Sequence, residues 1–129
     1  MMVVSKYLLK FNYVILTMLG DVYFTLKGVT YPDNSELALS DIGEGANALS
    51  CKTSLVDCCK TQPNRFGQFY YPNGTQVPVN SIGHGFFRDR GDQEIRLNRR
   101  DQTASPTGRF RCEIPDANRV MQSLHVTLT

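Results

Sequence analysis

Gly108-Arg109-Phe110-Arg111-Cys112-Glu113-Ile114 alternates apolar and polar side chains residue by residue. A strand turns successive side chains to opposite faces, so Phe110, Cys112 and Ile114 share the apolar side. Ala48-Leu49-Ser50-Cys51-Lys52-Thr53 repeats the pattern, with Leu49, Cys51 and Thr53 on one side. Both thiols are therefore expected to point into a core. Two inward cysteines on separate strands suggest a Cys51–Cys112 disulfide pinning two stacked sheets.

Working outward, further short strands are broken by turn chemistry. Val29 to Leu39 is expected to hold an edge strand, where Pro32 is tolerated. Asp41-Ile42-Gly43-Glu44-Gly45 reads as a turn, and Ser54 to Arg65 as a polar loop. Phe66 to Tyr71 is the next strand, with Phe69 and Tyr71 facing the core and Tyr70 facing out. Asn73-Gly74 is a strong hairpin signal because both positions accept positive φ. Gln76 to Asn80 is a short returning strand, followed by His84 to Arg88 and Glu94 to Arg99. Ile95 and Leu97 alternate there with Glu94, Arg96 and Asn98. Asp101 to Gly108 is a turn-rich corner, and Asp116-Ala117-Asn118 starts a hairpin. Leu124, Val126 and Leu128 point inward along the last strand, and Ser123, His125 and Thr127 outward. No segment after Lys10 has helical periodicity. Seven or eight short strands at this spacing predict an all-β sandwich or barrel.

The chain has 129 residues, enough for one domain, with 41% hydrophobic and 20% charged residues. Its formal net charge of +2 is too mild to imply nucleic acid. The late arginines are interleaved with Asp89, Asp92, Glu94, Asp101, Glu113 and Asp116, a pattern of mixed, solvated strand faces. The four cysteines fit an oxidising compartment and permit three complete pairings. With Cys51–Cys112 favoured, Cys58 and Cys59 remain. They can form a vicinal disulfide, stay reduced, or link to another chain, and adjacency disfavours the first.

Residues 1–27 are assigned as a leader and 28–129 as the domain. Lys6 and Lys10 precede the apolar run Phe11 to Leu19, which has signal-peptide length and is too short to span a bilayer. An additional strand or a misassigned start are the alternatives. No transmembrane span and no hydrophobic anchor tail are expected.

Few motifs carry chemistry. Asn73-Gly74-Thr75 is an N-glycosylation sequon whose residue types also suit a turn. Arg90-Gly91-Asp92 matches an integrin-binding tripeptide, with a guanidinium and a carboxylate held apart on a glycine turn. A solvated turn explains the same three residues. His84 and His125 do not combine with the cysteines at any common metal spacing. There is no nucleophile elbow and no phosphate-binding glycine loop followed by a helix. No catalysis, metal or cofactor is expected.

Taken in order, Leu49-Ser50-Cys51, Glu94-Ile95-Arg96-Leu97, Gly108-Arg109-Phe110-Arg111-Cys112 and Leu124-His125-Val126-Thr127-Leu128 resemble strands B, E, F and G of an immunoglobulin-like domain. The resemblance covers about Val29 to Thr129. It implies an immunoglobulin-like antiparallel β-sandwich with Greek-key connections and a core of Leu49, Phe69, Ile95, Leu97, Phe110, Ile114, Leu124 and Val126. Three departures stand out. The chain has no tryptophan, so Phe69 is expected to fill the place of the family's core Trp. Phe110 replaces the usual Tyr, and Pro106 replaces an Asp. The resemblance implies a secreted or cell-surface recognition or adhesion module that binds a protein partner through loops and sheet faces. The loop Ser54–Arg65 is its most distinctive part. An integrin-type receptor engaging Arg90-Gly91-Asp92, or origin within a larger multi-domain receptor, are the alternatives.

Overall fold

Period-two alternation produces two sheets that enclose one core. The computed structural model describes residues 21–79, 85–100 and 105–129. Among them are nine strands, two short 3-10 turns and no α-helix. The strands are β1 (Val22–Leu26), β2 (Val29–Tyr31), β3 (Ser35–Leu37), β4 (Leu49–Thr53), β5 (Gln68–Tyr70), β6 (Phe86–Gly91), β7 (Glu94–Arg99), β8 (Gly108–Pro115) and β9 (Met121–Leu128). One sheet has five strands in the order β2-β1-β4-β7-β6. The other has four, in the order β3-β9-β8-β5. The molecule is an all-β sandwich.

The inward faces carry the alternating apolar residues. Phe110, Cys112 and Ile114 of β8 are fully buried, as are Ile95 and Leu97 of β7. Leu49, Phe69, Val126 and, almost completely, Leu124 join them. Burying a side chain of this size contributes about 1.5–3 kcal/mol. Phe69 stands opposite Cys112 in the β5–β8 register and packs 6.5 Å from Phe24, centroid to centroid. Phe110, Phe86 and Tyr71 form a second aromatic cluster, with Phe86 and Phe110 5.2 Å apart. A phenyl ring at position 110 fits this apolar setting without a hydroxyl that needs a partner.

Cys51 on β4 and Cys112 on β8 form a disulfide between the two sheets, with Cα atoms 6.6 Å apart. The Thr53 hydroxyl donates to the Pro115 carbonyl and makes a second tie between the same strands.

The fold departs from the sequence-based expectation in several places. The sheet begins at Val22, inside the stretch assigned to the leader. Val22-Tyr23-Phe24-Thr25-Leu26 pairs antiparallel with β4 and buries Phe24 completely. Residues 1–20, with the signal-like run, lie outside the described residues. The expected edge strand Val29–Leu39 is two strands. Pro32 has no N–H to continue the ladder, and the chain there leaves the five-stranded sheet. It re-pairs as β3, parallel to β9, in the other sheet. The four-stranded sheet is therefore mixed rather than antiparallel.

The turn at 41–45 contains a buried residue, Ile42, held between the 3-10 turns Leu39–Asp41 and Gly45–Asn47. Gln76 makes only an isolated bridge to Tyr70. Asn80 and His84 lie outside the described residues. Asn98, expected to face solvent, is 1% exposed. Its amide accepts from Gly45 N–H at 2.9 Å and donates to Asp89 Oδ1 at 3.0 Å, so the buried polar atoms are matched.

Candidate functional site

The loop from Ser54 to Phe66 leaves β4 and crosses one open side of the sandwich. At this side β6 is the edge of one sheet and β5 the edge of the other. The sequence marks this segment as a polar loop, yet it is anchored by apolar side chains. Leu55, Cys58 and Cys59 are 8%, 1% and 0% exposed. Cys58 and Cys59 form a vicinal disulfide with Cα atoms 3.6 Å apart. Of the three states open for this pair, the one disfavoured by adjacency is present. Asp57, in the left-handed region at φ 60°, turns the chain into the pair, and the Gln62–Pro63 peptide is cis.

Backbone and side-chain bonds fasten the loop to the β6–β7 turn. Cys59 N–H donates to the Asp92 carbonyl at 3.1 Å, and Phe66 N–H to the Cys58 carbonyl at 3.0 Å. The Arg90 guanidinium donates to the carbonyls of Cys59 and Phe66. Gly67 then allows the chain to enter β5. It sits at φ +99°, and a Cβ there would lie 2.6 Å from Ile95 Cγ1, too close for any other residue. Val56, at 67% exposed, and Phe66, at 40%, remain on the outer surface of the anchored loop.

These contacts decide where the tripeptide 90–92 stands. Arg90 and Gly91 are the last residues of β6, and Asp92 begins the turn to β7. Asp92 is exposed, but Arg90 is half-buried and turned toward the loop. Burial, then the neighbouring Arg88 and Arg65 charges, push the Arg90 pKa down to about 10. The three residues are not displayed together on a free turn. Arg90 instead acts as a strap whose purpose the sequence alone did not reveal.

Asn73 is exposed at the tip of the turn between Tyr71 and Gln76. Its Oδ1 accepts from Thr75 N–H at 3.0 Å and from the Thr75 hydroxyl at 2.7 Å. Gly74 adopts φ 90°, as the turn requires. His125 lies on the outer face of β9, with Nδ1 3.9 Å from Asp33 Oδ1. No group of three or more metal-ligating side chains occurs among the described residues.

The outer face of the five-stranded sheet carries matched charges. Arg96 bonds Asp89 at 2.8 Å and Glu94 at 2.9 Å. Burial alone would push the Asp89 carboxyl up, but hydrogen bonds from Arg96 and Asn98 outweigh it and hold the carboxyl below its usual range. On the other sheet, Arg111 bonds Glu113 at 3.0 Å and stacks 4.1 Å from the Tyr70 ring centroid. The Tyr70 hydroxyl donates to Glu113 at 2.9 Å. Burial and that carboxylate raise the phenol pKa.

Compared with known protein families and with curated proteins, the chain matches none of them. No helix among the described residues is long and apolar enough to cross a membrane.

Proposed function

We propose that the chain is an extracellular immunoglobulin-like module that recognises a protein partner and performs no catalysis. The observation that carries this is the anchored loop 54–66. It is fixed from beneath by a buried disulfide and an arginine strap, and it keeps Val56 and Phe66 outward. A surface whose backbone is already ordered loses little entropy on binding, and exposed apolar side chains on it can anchor a partner. The inter-sheet bridge supports the immunoglobulin-like assignment, since it joins the strands matched to B and F. Two disulfides with no free cysteine fit an oxidising, secretory environment. Asn73, exposed with its sequon ordered in a turn, is the expected glycan acceptor.

The test is binding of the purified chain to an array of cell-surface ectodomains. Val56→Asp and Phe66→Asp should abolish capture of any ectodomain bound, and Val120→Asp, on the β8–β9 hairpin, should leave it intact. Binding that depends on Val120 rather than Val56, or no binding to any ectodomain, would overturn the proposal. A non-reducing peptide map of secreted material reports both bridges and any glycan at Asn73.

A further inference from the structure

The turn that follows β5 folds beside the chain entering β8, and a hollow of about 450 Å³ lies between them. The rings of Pro72, Pro78 and Pro106 wall it, and Tyr71 borders it from beneath. Gln76 and Thr107 add polar groups, and Asn73 forms part of the rim. The two sides approach closely, since a Cβ on Gly108 would lie 3.0 Å from Pro72 Cγ. Backbone bonds hold the frame. Tyr71 N–H donates to the Thr75 carbonyl at 2.8 Å, Gly74 N–H to the Tyr71 carbonyl at 2.9 Å, and Arg88 N–H to the Pro78 carbonyl at 2.7 Å. Tyr71 roots the hollow in the core, with its ring centroid 6.0 Å from that of Phe86 and 5.9 Å from that of Phe110.

These walls favour one kind of occupant. Proline has no N–H, so three of the lining residues present ring C–H groups and no backbone donor. A mostly apolar hollow with a few polar groups, in the size range of about 300–1,000 Å³, fits a small molecule rather than a chain segment. The rim supplies the molecule. Asn73 begins the sequon, and its Oδ1 is tied to Thr75 N–H and to the Thr75 hydroxyl. The amide is thereby held in one orientation, and among the described residues its Nδ2 donates to nothing. Attachment of a glycan joins Nδ2 to the anomeric carbon of N-acetylglucosamine. One amide proton is lost, and the pyrophosphate-linked lipid carrier of the sugar departs. No hydrogen bond of the turn is broken. The attached sugar offers C–H faces and an acetyl methyl for the prolines, with hydroxyls and an amide for Gln76 and Thr107. Its tether makes the contact intramolecular, with an effective concentration in roughly the millimolar range, so contacts too weak for a free sugar suffice.

We propose that this hollow seats the first N-acetylglucosamine of a glycan on Asn73 and that the seated sugar clamps the turn after β5 to the entry of β8. This seating rests on the expected modification of Asn73 and is independent of any protein partner.

The full chain secreted from glycosylating cells tests the seating in three forms. One keeps the whole glycan, one is trimmed by an endoglycosidase to the first sugar, and one is stripped by an amidase that leaves an aspartate. The single-sugar form should melt within about 1 °C of the intact form and about 3 °C or more above the stripped form. Pro106→Ala should shrink that gap by about half or more, and Pro32→Ala, at a different hollow, should preserve it. Comparing gaps cancels what each substitution and the aspartate do alone. With the sugar isotopically labelled, nuclear Overhauser contacts should join its acetyl methyl to ring protons of Pro72 or Pro106 in the unsubstituted chain. A smaller gap, a gap unchanged in Pro106→Ala, or absence of those contacts would overturn the seating while leaving the glycan itself in place. Mass spectrometry reads occupancy separately, and an unmodified Asn73 in secreted chain would overturn both the expected glycan and its seating.

Discussion

The bridge between Cys51 and Cys112 spans 61 residues and joins two sheets, whereas the bridge between Cys58 and Cys59 spans one residue and joins nothing distant. Both are buried. The first restricts a long loop in the unfolded chain, so it stabilises the whole fold. The second closes no such loop and shapes only the segment that holds it. Arg90 joins the buried Leu55, Cys58 and Cys59 and the Cys59 N–H bond to Asp92 in securing that segment to the sandwich, through carbonyl bonds rather than covalent ones. Global stability and local order therefore have separate origins, although both rest on cysteine.

The largest effect should come from removing the long bridge. Cys51→Ala with Cys112→Ala should cost about 4 kcal/mol in the chain-entropy account, read as a lower urea midpoint. A cost below about 1 kcal/mol would mean that packing around Phe69 and Phe110 holds the sheets without the bridge.

Arg90→Gln comes next. It leaves carbonyls of Cys59 and Phe66 short of a donor and should cost about 1–3 kcal/mol. The same variant should speed proteolytic cleavage within residues 54–66. A loss of stability with no change in cleavage would contradict the strap. Cys58→Ala with Cys59→Ala removes packing but no long-loop constraint, and about 1–2 kcal/mol is expected. If this pair costs as much as the inter-sheet pair, the distinction between the two bridges fails.

A smaller, pH-dependent effect belongs to the β8–β9 hairpin. Asp116 accepts from Val120 N–H at 3.1 Å, Gln122 Nε2 at 2.8 Å and Asn118 N–H at 2.8 Å. The bond from Val120, then that from Gln122, leads in holding its carboxyl below the usual range. A depressed carboxyl stabilises the fold fully above the unfolded value near 3.9, and the contribution is lost as pH falls through the lower folded value. Denaturant midpoints should fall on acidification from about pH 5 to pH 2, and less steeply in Asp116→Asn. Equal slopes would remove Asp116 from the account.

Arg88→Gln should have the smallest effect, within about 0.5 kcal/mol, because no ion pair to Arg88 occurs among the described residues. A large destabilisation would show that the cations beside the loop hold the fold rather than merely tolerate one another.

Strands β4, β7, β8 and β9 were legible because each keeps its inward side chains at every second position. The partner of Cys51 followed from the same periodicity. β1 has equal alternation in Val22, Phe24 and Leu26, but it adjoins the apolar run Phe11 to Leu19, and a signal-like pattern masks a strand beside it. The buried Asn98 was hidden because its polar type predicts solvent, and its partners, Gly45 N–H and the Asp89 carboxylate, come from the covering turn and the neighbouring strand. The grouping of Lys60, Arg65, Arg88 and Arg90 around one concavity was hidden for a related reason. Along the sequence Arg88, Asp89 and Arg90 look self-neutralising, and only the structure shows that the Asp89 carboxylate is engaged by Arg96 and Asn98 instead. The vicinal disulfide had no signal beyond adjacency itself.

One further consequence follows from the parallel pairing of β3 with β9. Ser35, Glu36 and Leu37 lie beside Val126, Thr127 and Leu128, and Thr129 N–H bonds the Leu37 carbonyl at 3.0 Å. When two parallel strands are drawn apart from the start of one and the end of the other, their crossing bonds are loaded in shear and must break together. A tensile load entering at β3 and leaving at β9 therefore meets this short ladder side-on, whereas a load that peeled the β8–β9 hairpin would open its bonds one at a time.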